Sequence, residues 1–402
     1  MLSKPNKLRI PYALSVYGDE EQKAVLKVMS EHKTGLGEKT FELESRVSKL
    51  FGKKYGVMVN SGSTANLLSI ELMDLPKGSQ VITPVLTFST TVAPLIQKGL
   101  VPIFVDVAPG NYLIDIEQVE ETINGKVSAL VIPSLLGNVP DLPRLNKIAS
   151  ANGAYLIEDS CDTLGATFND IPTGKYTDIS TTSFYGSHVI TAGGGGGMLC
   201  MNNKKWYDRA RILRGWGRSS AIDESETLDK RFGIEIDGIP YDSKFVFEEI
   251  GYNFLPLEIS AAFGVEQVKK LNKFFTIRNR NFTILKKFFA KYSQYFVLPK
   301  QLNSVKTSWL AFPLTIKPDA PFSRIDIVTY LERNNVQTRP IFTGNILRQP
   351  GFSKLTSARF SKAYPVADNV MKNGFVIGCN HGLTNKHMAR LIEVLSTFLN
   401  RF

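Results

Sequence analysis

The stretch YGVMVNSGSTANLLSIELM, residues 55–73, decides the fold. It opens on YGVMV, an apolar run with no polar alternation, turns through Asn60, Ser61, Gly62, Ser63 and Thr64, and resumes with apolar residues at helical spacing. A short, continuously apolar strand is one covered on both faces, as in parallel sheets. The same kind of unit recurs. QVITPVLTF (80–88) precedes a helical TTVAPLIQKGL (90–100), and VPIFVDV (101–107), SALVIPSLLG (128–137), AYLIEDS (154–160) and DISTTSFYG (178–186) read as further strands. Helical or turn segments such as LPRLNKIASANG (142–153) separate them. Strands alternating with helices predict an α/β domain built on a mostly parallel sheet.

Beyond residue 255 the pattern changes. Residues 256–292 read as one long helix, broken at most once, able to bridge two domains. SWLAFPLTI (308–316), RIDIVTYLERNN (324–335), VQTRPIF (336–342), GFVIGC (374–379) and a last helix over 385–402 predict a smaller α+β domain. The expected division is therefore 1–255 and 256–402, with the N-terminal segment packed against the second part. No internal repeat is found.

Composition narrows the class. In 402 residues, 43% are hydrophobic and 21% charged, as in ordinary soluble proteins. No run of 18 apolar residues predicts a membrane span, and MLSKPNKLRIPYAL lacks the apolar core of a secretory leader. Three scattered cysteines (Cys161, Cys200, Cys379) supply neither a disulfide framework nor a structural zinc site, so a cytoplasmic setting is expected. The net charge of +11 is compatible with nucleic acid or with phosphorylated small molecules. Much of the excess, at Lys269, Lys270, Lys273, Arg278, Arg280, Lys286 and Lys287, reads as a solvated helix face; no nucleic-acid-binding signature accompanies it.

Five constellations stand out, one of them Gly251-Tyr252-Asn253, which leads into the long helix. Ser61-Gly62-Ser63-Thr64 lies between strand and helix, where free amides and the helix dipole favour an anion, although Ser and Thr there are equally ordinary caps. Glu158-Asp159 ends an apolar strand, where open α/β sheets bind ligands. Ser183-Phe184-Tyr185-Gly186-Ser187-His188 precedes five glycines, 193–197. The residues after that run look like strand, which rules out a dinucleotide fingerprint because that motif must open a helix. Arg339, in Gln337-Thr338-Arg339-Pro340, could grip a carboxylate or phosphate, or simply face solvent. His381 and His387 are not spaced for one helical face, and no metal site is expected.

Taken in order, TGLGEKTFELES (34–45), SGSTANLL (61–68), FVDV (104–107), IEDSCDTLGA (157–166), SFYGSH (183–188), GYNFLPLEISAAFGVEQ (251–267) and QTRPI (337–341) resemble the DegT/DnrJ/EryC1/StrS sugar aminotransferases. That family has the fold type I, aspartate aminotransferase-like architecture. The resemblance implies pyridoxal or pyridoxamine 5'-phosphate as cofactor, held by Gly62, Ser63, Phe88, Asp159, Asp162 and Ser183. Asn253 would reach the phosphate from a second subunit, which implies a homodimer with shared sites. His188 and Tyr185 take the catalytic positions, and Arg339 and Asn345 those of substrate binding.

One position departs from the aminotransferases: His188 stands where they carry the lysine that holds the cofactor covalently. This resembles the family's 3-dehydratase branch, which strips the C3 hydroxyl from CDP- or GDP-linked 4-keto-6-deoxyhexoses in 3,6-dideoxysugar biosynthesis. Leu136-Gly137-Asn138, Trp309 and Thr343-Gly344-Asn345 resemble that branch too. The segment 216–233 occupies the place where CDP-sugar relatives carry cysteines for an iron–sulfur cluster, but it contains none, so no cluster is expected. The implied activity uses the amine form of the cofactor, with His188 as base and L-glutamate restoring the amine. The alternatives are an aminotransferase-like enzyme of different outcome and a non-catalytic binding homologue.

Overall fold

The computed structural model describes residues 8–222, 228–355 and 363–402. Part of the leader reading (residues 1–7) and part of the 216–233 segment (residues 223–227) lie outside them. Seven strands form the main sheet: β1 (Tyr55–Val59), β2 (Gln80–Pro84), β3 (Val101–Val105), β4 (Val127–Pro133), β5 (Tyr155–Asp159), β6 (Ile179–Ser183) and β7 (Gly197–Met201). Their order is β1-β7-β6-β5-β4-β2-β3. β2, β3, β4, β5 and β6 pair in parallel, and only β7 runs against its neighbours β1 and β6.

Continuous apolarity is explained by cover on both faces. Val57, Val59, Val131 and Ile157 point into one core, whereas Ile82, Leu130, Ile132 and Leu156 point into the other. The helices between the strands supply the cover: α1 (Asp19–Ser30), α2 (Glu38–Leu50), α3 (Gly62–Leu72), α4 (Ser89–Gln97), α5 (Ile116–Thr122), α6 (Leu142–Ala151) and α7 (Lys204–Arg214). Their starts follow local chemistry. Ser61 accepts from the Thr64 amide to cap α3, and Asp141 from the Arg144 amide to cap α6. α2 begins at Gly37 with no cap of its own. Buried Glu258, distant in sequence, accepts from the amides of Gly37, Lys39 and Thr40 and from the Thr40 hydroxyl at 2.6 Å.

The predicted long helix is broken once, into Glu258–Lys269 and Leu271–Ala290. Beyond it lies a four-stranded antiparallel sheet of Phe296–Val297, Ala311–Ile316, Gly374–Gly378 and Thr338–Arg339, in that order. The N-terminal segment packs here as expected: Ile10 bridges Val336, bonded to Asn335 and Gln337. One hydrophobic core joins Val85, Leu86 and Phe104 of the first part with Phe312, Ile377 and Leu391 of the second.

Two features depart from the sequence reading. The hairpin Ile234–Ile236 with Ile239–Tyr241 was not expected, since pieces this short carry no period. The basic helix face is only partly solvated. Lys273, Arg280, Lys286 and Lys287 are exposed, but Lys270 pairs with Glu21 at 2.7 Å and Arg278 is completely buried. No described helix is long and apolar enough to cross a membrane.

A buried ion pair ties α7 to β1. Arg214 Nη1 lies 2.8 Å from Glu44 Oε1 and donates to the Met58 carbonyl, while Glu44 accepts from the Met58 amide. Removing one partner strands the other charge. Glu44→Ala is expected to cost about 3–5 kcal/mol in denaturant unfolding, and replacing both residues with methionine to cost much less. Equal losses in both variants would show that the pair's net contribution had been misjudged.

Candidate active site

Parallel strands place their carboxyl ends on one edge, and a cavity of about 300 Å³ opens there. Gly62 and Ser63 enter it from the start of α3, Phe88 from the start of α4, Asp159 and Asp162 from the end of β5, and Ser183, Tyr185 and His188 from the end of β6. Eight residues singled out in the sequence thus share one wall.

The α3 end forms the cradle. Ser61 Oγ and O take the amides of Thr64 and Ala65, and the earlier amides of the first turn have no partner inside the helix. A Cβ on Gly62 would lie 2.6 Å from Ser183 Cβ and 2.9 Å from Cys161 Sγ, so only glycine leaves this floor intact. Two hydroxyls, Ser63 Oγ and Ser183 Oγ, flank it, and Ser63 is steadied by Thr90 at 2.9 Å. Gly197 is a second forced glycine: its Cβ would meet the Ser61 carbonyl carbon at 2.3 Å, so the glycine run brings β7 against the cradle.

Asp159 is held by its own neighbours. Its Oδ2 accepts from Asn66 Nδ2 at 2.8 Å and Thr91 Oγ1 at 2.7 Å. Oδ1 takes only a long contact from the Cys161 amide, 3.3 Å, which leaves acceptor capacity toward the cavity. Phe88 is half exposed, its ring edge-on to Phe342 at 6.0 Å.

His188 faces this arrangement from the side. Its Nδ1 lies 3.4 Å from the Ser183 carbonyl, which can only accept; the ring proton therefore sits on Nδ1, and Nε2 keeps its lone pair. Nε2 is 3.8 Å from Asp162 Oδ1. Burial pushes His188 down to about 4, against the raising effects of the Ser183 carbonyl and Asp159. Burial also pushes Asp162 up to about 7, although the Leu136 amide donates to it at 2.9 Å. Both groups are driven toward their neutral forms. Among the described residues lining the cavity there is no lysine.

The donor set fits the cofactor that the sequence implies. An anion matches the α3 cradle and its hydroxyls, a protonated ring nitrogen matches the buttressed Asp159 carboxylate, and a flat ring matches Phe88. Three positions lie elsewhere. Asn253 is exposed and bridges Gly215. Arg339 is exposed, with its guanidinium 5.9 Å from the Tyr12 ring centroid. Asn345 is buried, donating to Asp368 and capping Leu347.

Sequence reasoning missed Asn66, Thr91, Cys161 and Phe342 as parts of the wall. The first two had a signal: each stands three or four residues after a cradle or ring residue, one helical turn on. Phe342 had none, because the 341–346 loop arrives from the far end of the chain and docks through Thr343 on Thr87 and Ile346 on Val85.

Residues 16–396 match the family described as the DegT/DnrJ/EryC1/StrS aminotransferase family. The chain is similar to the GDP-4-keto-6-deoxy-D-mannose 3-dehydratase of Escherichia coli O55:H7, 34% identical over 383 residues, covering 93% of this chain and 96% of that one. It is 32% identical to the dTDP-4-dehydro-2,6-dideoxy-D-glucose 3-dehydratase of Saccharopolyspora spinosa, over 96% and 85% of the two chains. A solved GDP-4-keto-6-deoxymannose-3-dehydratase with a trapped PLP-glutamate geminal diamine superposes with a TM-score of 0.86 at 31% identity, covering 96% of this chain and all of that one. Site geometry, family match and full-length similarity agree: this chain belongs to the DegT/DnrJ/EryC1/StrS aminotransferase family.

Proposed function

We propose that this chain is a pyridoxamine phosphate-dependent 3-dehydratase, removing the C3 hydroxyl of a CDP- or GDP-linked 4-keto-6-deoxyhexose on the route to 3,6-dideoxysugars. The observation that carries this reading is an imidazole, and no lysine, at the cavity beside the ring-nitrogen carboxylate and the phosphate cradle. The relatives bearing 3-dehydratase names support it, and a relative trapped with glutamate supports L-glutamate as the amine donor. We place the enzyme in the cytoplasm as a homodimer whose Asn253 reaches the partner's phosphate site. Residues 1–255 then form the cofactor domain and 256–402 the smaller one.

When bound, the cofactor supplies an electron-poor ring that stabilises the electron pair left as a neighbouring C–H bond breaks. The chain's own residues do the rest. Gly62, Ser63 and Ser183 hold the phosphate, Asp159 holds the ring nitrogen in its protonated state, and Phe88 covers the ring face. Asn66 and Thr91 keep Asp159 aimed. His188 accepts a proton at Nε2 and, once charged, gives one to the departing hydroxyl oxygen. Asp162, 3.8 Å away, stands beside the imidazole as that charge develops. Tyr185 flanks the same imidazole, ring centroids 6.0 Å apart; Arg339, outside the cavity wall, would meet the substrate's anionic part only beyond it.

Incubating the purified enzyme, loaded with pyridoxamine phosphate, with CDP- and GDP-4-keto-6-deoxyhexose plus L-glutamate should yield the 3-deoxy-4-keto sugar and ammonia by mass spectrometry. An amino sugar as sole product would refute dehydration. His188→Asn should lower kcat by roughly 10²–10⁴, the range of general acid–base catalysis, with the cofactor's ultraviolet band retained on the protein. A fully active variant removes the base assignment. Because the neutral imidazole is the active form and its pKa is pushed down to about 4, the acid limb of kcat/KM should lie well below the ordinary histidine value. A limb at the ordinary value, shared by wild type and lost in no variant, would contradict this. Gly62→Ala should leave a cooperative thermal melt yet weaken cofactor binding at least about tenfold, or about 1.4 kcal/mol, because its methyl intrudes on Ser183; unchanged affinity would displace the cradle.

A further inference from the structure

His188 sits in a glycine-ended connection in which Val189, Ile190 and Ala192 are buried and its own amide donates to the Tyr185 carbonyl at 3.0 Å. The 184–196 segment between β6 and β7 ends in glycines, with Gly193, Gly194 and Gly196 at positive φ, and such backbone does not by itself fix a side chain. The imidazole's own ring contact, 3.4 Å to the Ser183 carbonyl, is long. A firmer anchor comes from another part of the fold. Arg278 Nη2 donates to the His188 carbonyl at 3.2 Å.

Arg278 lies in the helix Leu271–Ala290 and is 0% exposed. Its other donors go to His381 Nδ1 at 3.0 Å and to the carbonyls of Trp309 at 3.2 Å and Leu310 at 3.1 Å. All four acceptors are neutral, so a cation has been buried with no hydrogen-bonded anion, an arrangement that costs several kcal/mol unless the surrounding geometry compensates. Its setting is rigid. His381 stacks on Phe274, one turn back on the same helix, with ring centroids 3.9 Å apart. Trp309, itself buried, stacks on Phe282 at 4.9 Å. The planar fork of an arginine can serve these divergent acceptors at once; a lysine ammonium cannot.

We propose that Arg278 is a positioning residue for His188, a buried clamp that ties the catalytic loop to the long helix and the second sheet and holds the imidazole over the cavity. This rests on the bonding just described. Burial comes first in keeping the imidazole neutral, and the groups facing it add to or oppose that effect: Asp159 and Asp162 from the end of β5, with Cys161 between them, Tyr185 from its own loop, and Arg278 from the helix. Of these, Asp159 favours the charged ring and Arg278 opposes it. The clamp serves the base assigned above and so depends on that reading for its catalytic meaning, although its effect on His188 is measurable without turnover.

The test uses the cofactor-loaded enzyme and two substitutions. In Arg278→Gln, kcat should fall about 100-fold, the cost of misplacing a reacting group by about 1 Å, with cofactor affinity within about threefold of wild type. Its acid limb should move up, because the opposing cation is gone. In Arg278→Lys, kcat should fall similarly while the limb stays, since charge is kept and the fork is lost. Histidine-selective NMR supplies the readout that needs no substrate: with four histidines in the chain, His188 is assigned by its loss in His188→Asn and titrated directly. Wild-type His188 should stay neutral well below the ordinary value and shift upward in Arg278→Gln. If both variants keep wild-type kcat per folded, cofactor-loaded molecule, the clamp is refuted. Should neither fold, the wild-type titration decides, and a midpoint near about 6.5 overturns the proposal. A shifted His188 in an enzyme that performs no dehydration would leave the clamp standing and refute the proposed function instead.

Discussion

Strand direction is the constraint on which the site depends. β1 to β6 all run one way, and only β7 opposes them, so their carboxyl ends gather along a single edge. From that edge each strand hands the chain to a loop or a helix start. β1 delivers the α3 cradle, β2 delivers Phe88 and Thr91, β5 delivers Asp159 and Asp162, and β6 delivers Ser183 and His188. Residues more than 120 positions apart in sequence become neighbours without any bespoke packing. The amino ends of α3 and α4 point the same way, and their dipoles make this edge favourable for an anion.

Electrostatics within the cavity follows from how dry it is. Burial drives His188 down to about 4 and Asp162 up to about 7, so between those values the two groups face each other uncharged. An ion pair there would have to repay two desolvation penalties at a separation of 3.8 Å, which is too long for a strong hydrogen bond. The neutral pair is the better solution, and it leaves Nε2 with a lone pair available for a proton. Asp159 differs in its partners: it accepts from an amide and a hydroxyl that are themselves fixed. The handedness of the pairing matters as well. With Nδ1 turned to the Ser183 carbonyl, only Nε2 can work.

How much of this was legible in the residues depended on range. Elements with a strong period were read correctly: the main-sheet strands β1 to β6 lie inside the stretches their apolar runs marked out, except that β4 starts one residue earlier at Val127, and the long helix breaks once, at Lys270. The cradle and Asp159 were visible because each ends a strand. Arg278 was misread as solvated, since its helix face is settled only by what packs on it, and Trp309, Leu310 and His381 come from two later segments. Glu258 offered no hint that it would cap a helix more than 200 residues earlier. The roles of His188 and Asn253 came from family resemblance, because neither a lone histidine nor an exposed asparagine announces chemistry by its spacing.

The exchange of lysine for histidine also shifts where cofactor affinity must come from. The structure does hold a buried lysine near this sheet, Lys53, whose pKa burial pushes down to about 8. Yet Lys53 donates to the carbonyls of Thr177 and Asp178, just before β6 begins and so at the opposite edge from the cavity. It cannot serve as a covalent anchor. On the proposed reading, retention rests on non-covalent contacts, among them the amides and hydroxyls around Gly62, the Asp159 carboxylate and the Phe88 ring. Micromolar retention would need about 8 kcal/mol from such contacts together; the floor has no room for a Cβ at Gly62, and Asp159 is held by two buried donors of its own. A scaffold that gives up its covalent tether must be stiffer everywhere the ligand touches, and the Asn66–Asp159–Thr91 bonding is where this chain shows that stiffness.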